Sequence, residues 1–258
     1  DKRLLMGDDL KDPEDCFYGN PILQVEGCDH GTFVAGVIAG QGVGDARVTG
    51  IYPQAKLMII RAVPEGDEYD KDVASAIRYA VDNGAKVINM SLGKYTSPDA
   101  GMVNDAIAYA AKKDVLLVQA AGNNKKDIDT IAYFPSAKDK VGHTFANYIR
   151  VGASDKQGKI CSFSNYGKNK VDIFAPGTEI TSVTLGNEYT ESQGTSIAAP
   201  VVTAVAAMIR AYFPKLKASQ VKEILIRSAR PMQEKGLCAS GGIIDALQAV
   251  KLAMEYKK

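Results

Sequence analysis

From residue 56 onward the apolar residues gather in short continuous runs divided by amphipathic stretches. The runs are KLMIIRAV (56–63), KVINMSLG (86–93), DVLLVQAAGN (114–123), YIRVGAS (148–154) and VDIFAPG (171–177). Between the first three lie segments of helical character, Asp70 to Asn83 and Ala100 to Lys113, the second with Val103, Ile107 and Ala110 three and four positions apart. Continuous apolar runs alternating with helices predict a parallel sheet covered on both faces. After Gly194, the stretch TSIAAPVVTAVAAMIRAYF is apolar nearly all round and predicts a buried helix. The tail adds helices over Ser219 to Ser228 and Ile244 to Glu255. Ahead of all this, residues 1–29 are polar and broken by Pro13, Gly19, Pro21 and Gly27, a loop pattern, and HGTFVAGVIAG from His30 predicts a closely packed helix. No repeat or linker divides the chain, so residues 1–258 are read as one α/β domain, with 1–29 mostly loop.

Composition narrows the function classes. Thirty-one basic and thirty acidic residues leave a net charge of +1, which gives a polyanion nothing to hold. Tryptophan is absent and the twelve tyrosines are scattered, so no basic-aromatic stripe marks a nucleic-acid surface. The longest largely apolar stretch, Ile197 to Ile209, is too short to span a bilayer. Asp1 is not a translational start, so the chain is expected to be a processed or excised form, and a missing signal peptide carries no information about compartment. Cys16, Cys28, Cys161 and Cys238 show no CxxC spacing. They allow three pairings or stand as four free thiols, the simpler reading.

Three strand-like runs end in small, polar or turn-forming residues: Ser91-Leu92-Gly93, Ala121-Gly122-Asn123 and Ala175-Pro176-Gly177. Ligands bind outside the carboxyl ends of parallel strands, so these exits mark the expected site. Ser196, in QGTSIAAP, opens the buried helix, where unpaired amides and the positive helix end favour developing negative charge. The plainer account is an N-cap serine. The sequence G-T-S-I-A lacks the closing glycine of a nucleophile elbow, which argues against an α/β-hydrolase. Asn123 is either an ordinary turn residue or a side-chain donor aimed at an oxyanion. His30 is either a helix-start histidine bonded only to its neighbours or a base poised near neutrality. Together, serine, histidine and asparagine on one sheet edge outline acyl transfer.

Six stretches in order, HGTFVAG (30–36), VINMSLG (87–93), AAGN (120–123), FSNYG (163–167), VDIFAPG (171–177) and GTSIAAP (194–200), resemble the motifs of subtilisin-family serine proteases over nearly the whole chain. The resemblance implies a three-layer subtilisin-like fold and a serine endopeptidase working through an acyl-enzyme. It makes His30 the general base, Ser196 the nucleophile and Asn123 the oxyanion donor, and Ser91, Leu92 and Gly93 the edge that pairs with an extended polypeptide substrate. His143 matches no motif. No cofactor is required for the chemistry. The family often binds structural calcium, but no acidic cluster maps to a site, and Gly7 to Asp12 is expected to be a solvated loop. Secretion or another extracytoplasmic location follows from the resemblance alone.

One element of the pattern is missing. The family carries a catalytic aspartate at the end of an apolar strand upstream of the histidine, and nothing before His30 fits. Asp8, Asp9, Asp12 and Asp15 lie in polar sequence, and Asp29 is adjacent to His30, poor geometry for gripping its ring. Either the chain is cut downstream of that strand or the protein is a degenerate protease, and the intact remaining motifs favour the cut. The lone chain is then expected to be a very weak enzyme, with an upstream segment or pro-segment, as a separate chain, filling the vacant central position between 56–63 and 86–93. A non-catalytic peptide-binding pseudoprotease is the alternative. A nucleotide-binding doubly wound domain would need a glycine-rich turn that Val63-Pro64-Glu65-Gly66 does not supply.

Overall fold

The computed structural model describes residues 7–15, 19–25, 28–42, 48–63, 68–139 and 141–256. Helix α1 (Asp29–Ala39) is followed by α2 (Asp70–Asp82), β1 (Val87–Met90), α3 (Ala100–Lys112), β2 (Leu116–Ala120), β3 (Tyr148–Ser154) and β4 (Ile173–Pro176). A hairpin, β5 (Ile180–Thr184) and β6 (Glu188–Ser192), leads to the long helix α4 (Thr195–Tyr212). The chain continues through α5 (Ala218–Arg227), β7 (Arg230–Pro231), β8 (Gly242–Ile243) and α6 (Ala246–Glu255). The main sheet runs β1-β2-β3-β4-β8-β7, parallel throughout except for β7. Every residue of β2 and β3 is buried, as strands covered on both faces require. One face packs on α1, α4 and α5, while α2 and α3 cover the other around Leu117 and Tyr148.

Helix α4 meets the length and composition of a membrane span, and 72% of it is buried inside the fold. It is the core helix expected from its all-round apolar surface, extending beyond the thirteen-residue stretch that looked too short for a bilayer. The hairpin β5–β6 and the short pair β7–β8 were not anticipated. The hairpin braces α1: Ser182 Oγ donates to the Phe33 carbonyl at 2.8 Å.

Two expectations are corrected. Residues 56–63, predicted as a strand, pair with no strand among the described residues, and Leu57, Met58 and Ile59 are exposed. An apolar run becomes a strand only when a neighbour completes its hydrogen bonds, and β1, the nearest candidate, is bonded to β2 alone. Nor is the Gly7–Asp12 loop simply solvated. Asp8 is buried and pairs with the Lys71 ammonium, which also donates to the Asp9 carbonyl at 2.6 Å and to Asp15 Oδ2 at 3.2 Å. Lys71 is itself only 2% exposed. A cation buried in α2 has drawn the acidic loop inward, because an unpaired buried charge is far costlier than an ordered loop. Cys28, Cys161 and Cys238 are free thiols, as read, and Cys16 lies outside the described residues.

Lys71→Met, which removes the buried ammonium from Asp8, Asp15 and the Asp9 carbonyl, is expected to lower stability by about 3–5 kcal/mol. Urea unfolding measures this, and an unchanged midpoint would show that the buried pair contributes nothing.

Candidate active site

The carboxyl ends of β1 and β2 and the start of α4 meet at one place. Gly194 precedes α4 with φ 147°, a conformation that suits glycine. A methyl group placed on it would lie 3.1 Å from Ser196 Oγ and 3.4 Å from Asn123 Nδ2, so the serine hydroxyl and the asparagine amide flank one small space. The orientation of that amide is determined chemically. The Thr195 backbone N–H donates to Asn123 Oδ1 at 2.8 Å, and the Thr195 hydroxyl lies 2.9 Å from the same oxygen. Because a backbone N–H can only donate, the carbonyl side of Asn123 must face Thr195, leaving Nδ2 as a donor beside Ser196. The Thr195 hydroxyl also accepts from Gly122 N at 2.9 Å. Ser196 N–H has no hydrogen-bond acceptor among the described residues, while the next two amides, Ile197 and Ala198, both turn back to the Gly194 carbonyl. Two donors beside a hydroxyl can hold an oxyanion that develops when that hydroxyl attacks a carbonyl.

Asn165, of the FSNYG stretch, supports the loop from behind. It is fully buried; Nδ2 donates to the Ala121 carbonyl at 2.7 Å, and Oδ1 accepts from the amides of Asn124 and Lys126 at 3.2 and 2.9 Å.

Ser91 has a role that its motif did not disclose. Its hydroxyl donates to the Ser196 carbonyl at 2.6 Å. In an unbroken helix that carbonyl would accept from the amide four residues on, but that residue is Pro200, which has none. Ser91 supplies the missing bond. Behind it, Asn89 Nδ2 donates to Ser91 Oγ at 2.9 Å, and Thr203 Oγ1 donates to Asn89 Oδ1 at 2.9 Å. Leu92 packs its side chain toward the cluster beneath α2 and α3, and the Gly93 amide lies 3.4 Å from Glu68 Oε1.

His30 sits in the first turn of α1, which packs on α4. Among the described residues no hydrogen bond joins it to Ser196 or to a carboxylate. The residue is exposed, yet desolvation of the ring holds its pKa below the usual 6.5, partly opposed by the Asp29 charge beside it. His143 lies away from these residues on a surface turn, 3.4 Å from Asp139. Among the described residues no group of three or more His, Cys, Asp or Glu could hold a metal ion.

With this geometry in view, the comparisons with known proteins fall into one class. The profile of the subtilase family matches residues 8–243. A thermophilic serine proteinase of Bacillus sp. (strain AK1) is 37% identical over 182 residues, 70% of this chain and 42% of that protein. The cell wall-associated protease of Bacillus subtilis (strain 168) is 37% identical over 201 residues, 78% of this chain and 21% of that protein. The chain therefore spans less than half the length of either. Among solved structures, the prenylagaramide maturation protease PagA superposes with a TM-score of 0.75 at 32% identity, covering 87% of this chain and 82% of that one. The architecture is the subtilisin-like α/β fold. The chain belongs to the subtilase family.

The Ser91–Pro200 relation is directly testable. Ser91→Ala, which leaves the Ser196 carbonyl and the Asn89 amide unpaired, is expected to cost about 1–3 kcal/mol. In the double variant with Pro200→Ala, the restored amide at 200 should recover most of that loss. Strictly additive unfolding free energies would mean that the two residues do not share the carbonyl.

Proposed function

We propose that this chain is the peptidase domain of a serine endopeptidase that hydrolyses polypeptides through an acyl-enzyme. The observation that carries the reading is the meeting of Ser196 Oγ and Asn123 Nδ2 around Gly194. Ser196 Oγ attacks the scissile carbonyl while His30 takes its proton. Asn123 Nδ2 and the Ser196 amide hold the tetrahedral oxyanion, and His30 returns the proton to the leaving amine before water releases the acyl group. Ser91–Gly93 is the edge along which the extended substrate lies, its backbone displacing Glu68 from the Gly93 amide. An extracytoplasmic setting agrees with the name of the cell wall-associated relative.

The third catalytic group comes, in this reading, from a strand seated between residues 56–63 and β1. Support lies in the exposed Leu57, Met58 and Ile59 and in the single neighbour of β1. An upstream segment or pro-segment, held as a separate chain, fits that position. Peptide binding without turnover is the competing reading, favoured by the lack of a hydrogen-bonded partner for His30 among the described residues.

In protein that includes the missing carboxylate, Asn123→Ala is expected to lower kcat by about 100- to 1000-fold with little change in KM, because the donor acts mainly in the transition state. Steady-state peptide hydrolysis checks this, and an unchanged kcat removes Asn123 from the oxyanion site. If no protein containing Ser196 cleaves peptides faster than its Ser196→Ala variant, the binding-only reading replaces this one.

Alone, the 258-residue chain is expected to be a very weak peptidase. Loss of the triad aspartate in subtilisin costs about 3 × 10⁴-fold in turnover, which sets the scale. Rapid cleavage by the purified chain, abolished by Ser196→Ala, would show that another carboxylate orients His30.

A further inference from the structure

We propose that Tyr133 fills the crevice meant for the side chain of the residue whose carbonyl is attacked, which restricts cleavage to bonds after small residues: glycine, alanine or serine. This rests on the hydrolase reading above and adds its substrate class.

The crevice is a product of topology. β1 and β2 are adjacent and parallel, and beyond their last paired residues, Met90 and Gln119, the chains run on to Gly93 and Gly122, which both lie against Tyr133. Gly122 immediately precedes Asn123, and Ser91, two residues before Gly93, is bonded to the Ser196 carbonyl, so a carbonyl held beside Ser196 Oγ and Asn123 Nδ2 would have its own side chain next to these two exits. Tyr133 already lies there. A methyl group on Gly93 would overlap its hydroxyl, and one on Gly122 would come within 2.9 Å of the same oxygen. The two glycines thus give the ring room that any side chain would deny it.

The ring has no easy retreat. It is 6% exposed, meets Tyr95 edge-on at 5.3 Å, and has the Arg150 guanidinium 5.4 Å from its centre. Arg150 is anchored in turn by Gln119 Oε1 at 2.8 Å and the Pro135 carbonyl at 2.7 Å. At the rim, the Tyr95 hydroxyl donates to Asn124 Oδ1 and accepts from Asn165 Nδ2, both at 2.9 Å. That pair of bonds ties the wall after β1 to the wall after β2 and sets the width between them. The Tyr133 hydroxyl has no hydrogen-bond partner among the described residues. It leaves a polar tip in the crevice that a leucine or phenylalanine side chain would bury unpaired. Admitting such a side chain requires Tyr133 to leave Arg150 and Tyr95 together, whereas glycine, alanine and serine fit above the ring.

The test uses the full-length protein and a series of internally quenched peptides differing only in the residue before the cut: Ala, Ser, Leu or Phe. Expected is a kcat/KM for Ala and Ser at least about 100-fold above that for Phe, the discrimination that a filled pocket can deliver. Tyr133→Gly should raise the Phe value by about the same factor and leave the Ala value within a few-fold. Should that variant fail to fold, the wild-type ranking decides. Cleavage that is lost in Ser196→Ala but favours Phe or Leu in the wild type overturns the crevice assignment and leaves the hydrolase reading standing. Absence of Ser196-dependent cleavage of every peptide overturns the hydrolase reading, and this inference with it.

Discussion

Thr195 holds Asn123 by two hydrogen bonds to a single oxygen and holds the Gly122 amide by a third. These bonds join the turn after β2 to the first turn of α4, and the geometry around Ser196 depends on them. They are dependable because neither partner can move alone. β2 is buried along its whole length, and α4 is buried against β1 to β4 on one side and α1 on another. In a close-packed interior, small displacements of such elements carry steric cost, so polar groups at their ends are positioned by the apolar groups along their lengths. The hydrogen bonds then choose the orientation of one amide, which packing alone would leave undecided.

The start of α4 is built against ordinary helix rules. No side chain caps it, its leading residue is a glycine in an extended conformation with positive φ, and a proline sits in its second turn. Each departure releases a backbone group. The Ser196 amide is left free of an acceptor, and the Ser196 carbonyl is left without its usual donor. The first stays open; the second is taken by Ser91, backed by Asn89 and Thr203. A satisfied polar chain of this kind fixes the helix to β1 at a defined distance, where an apolar contact would let it slide. A serine with an open amide on one side and a fixed carbonyl on the other is the result.

Much of the architecture was legible because burial on both faces leaves a simple trace. YIRVGAS (148–154) matches β3 end to end, and Val103, Ile107 and Ala110 are the buried face of α3. KLMIIRAV carries the same trace and is not a strand, since a composition suited to a sheet interior does not provide the neighbour. The β5–β6 hairpin was missed because its outer strand is largely exposed and shows no apolar alternation. At the site, His30, Asn123 and Ser196 stood out as residue types in motifs, while Thr195, Pro200 and Tyr133 did not. Their importance lies in contacts that span 72, 105 and 40 positions, which no local pattern carries: Thr195 on Asn123, Ser91 on the Ser196 carbonyl that Pro200 leaves open, Tyr133 against Gly93. Asp8 belongs with these, since it pairs with Lys71, 63 positions away.

One proposed strand, bonded to the open edge of β1, would account both for the exposed run at 56–63 and for the lack, among the described residues, of a carboxylate hydrogen-bonded to His30. A strand bonded to β1 would cover the apolar side chains of 57–59, satisfy the outer edge of β1, and end on the same side as Ser91 and Asn123, where a carboxylate could reach the His30 ring. In this structure desolvation acts on the imidazole, and the Asp29 charge beside it opposes that only in part. That favours the neutral form, which a base requires, and leaves the positive charge only partly offset once the proton has been taken. A ring that is desolvated yet unpaired is therefore suited to the first half of a proton transfer and opposed to the second. Filling the sheet would remove both defects together, raising the pKa of His30 while holding one tautomer. The open edge of β1, of a kind prone to association, would in the proposed reading be the edge through which the catalytic group is supplied.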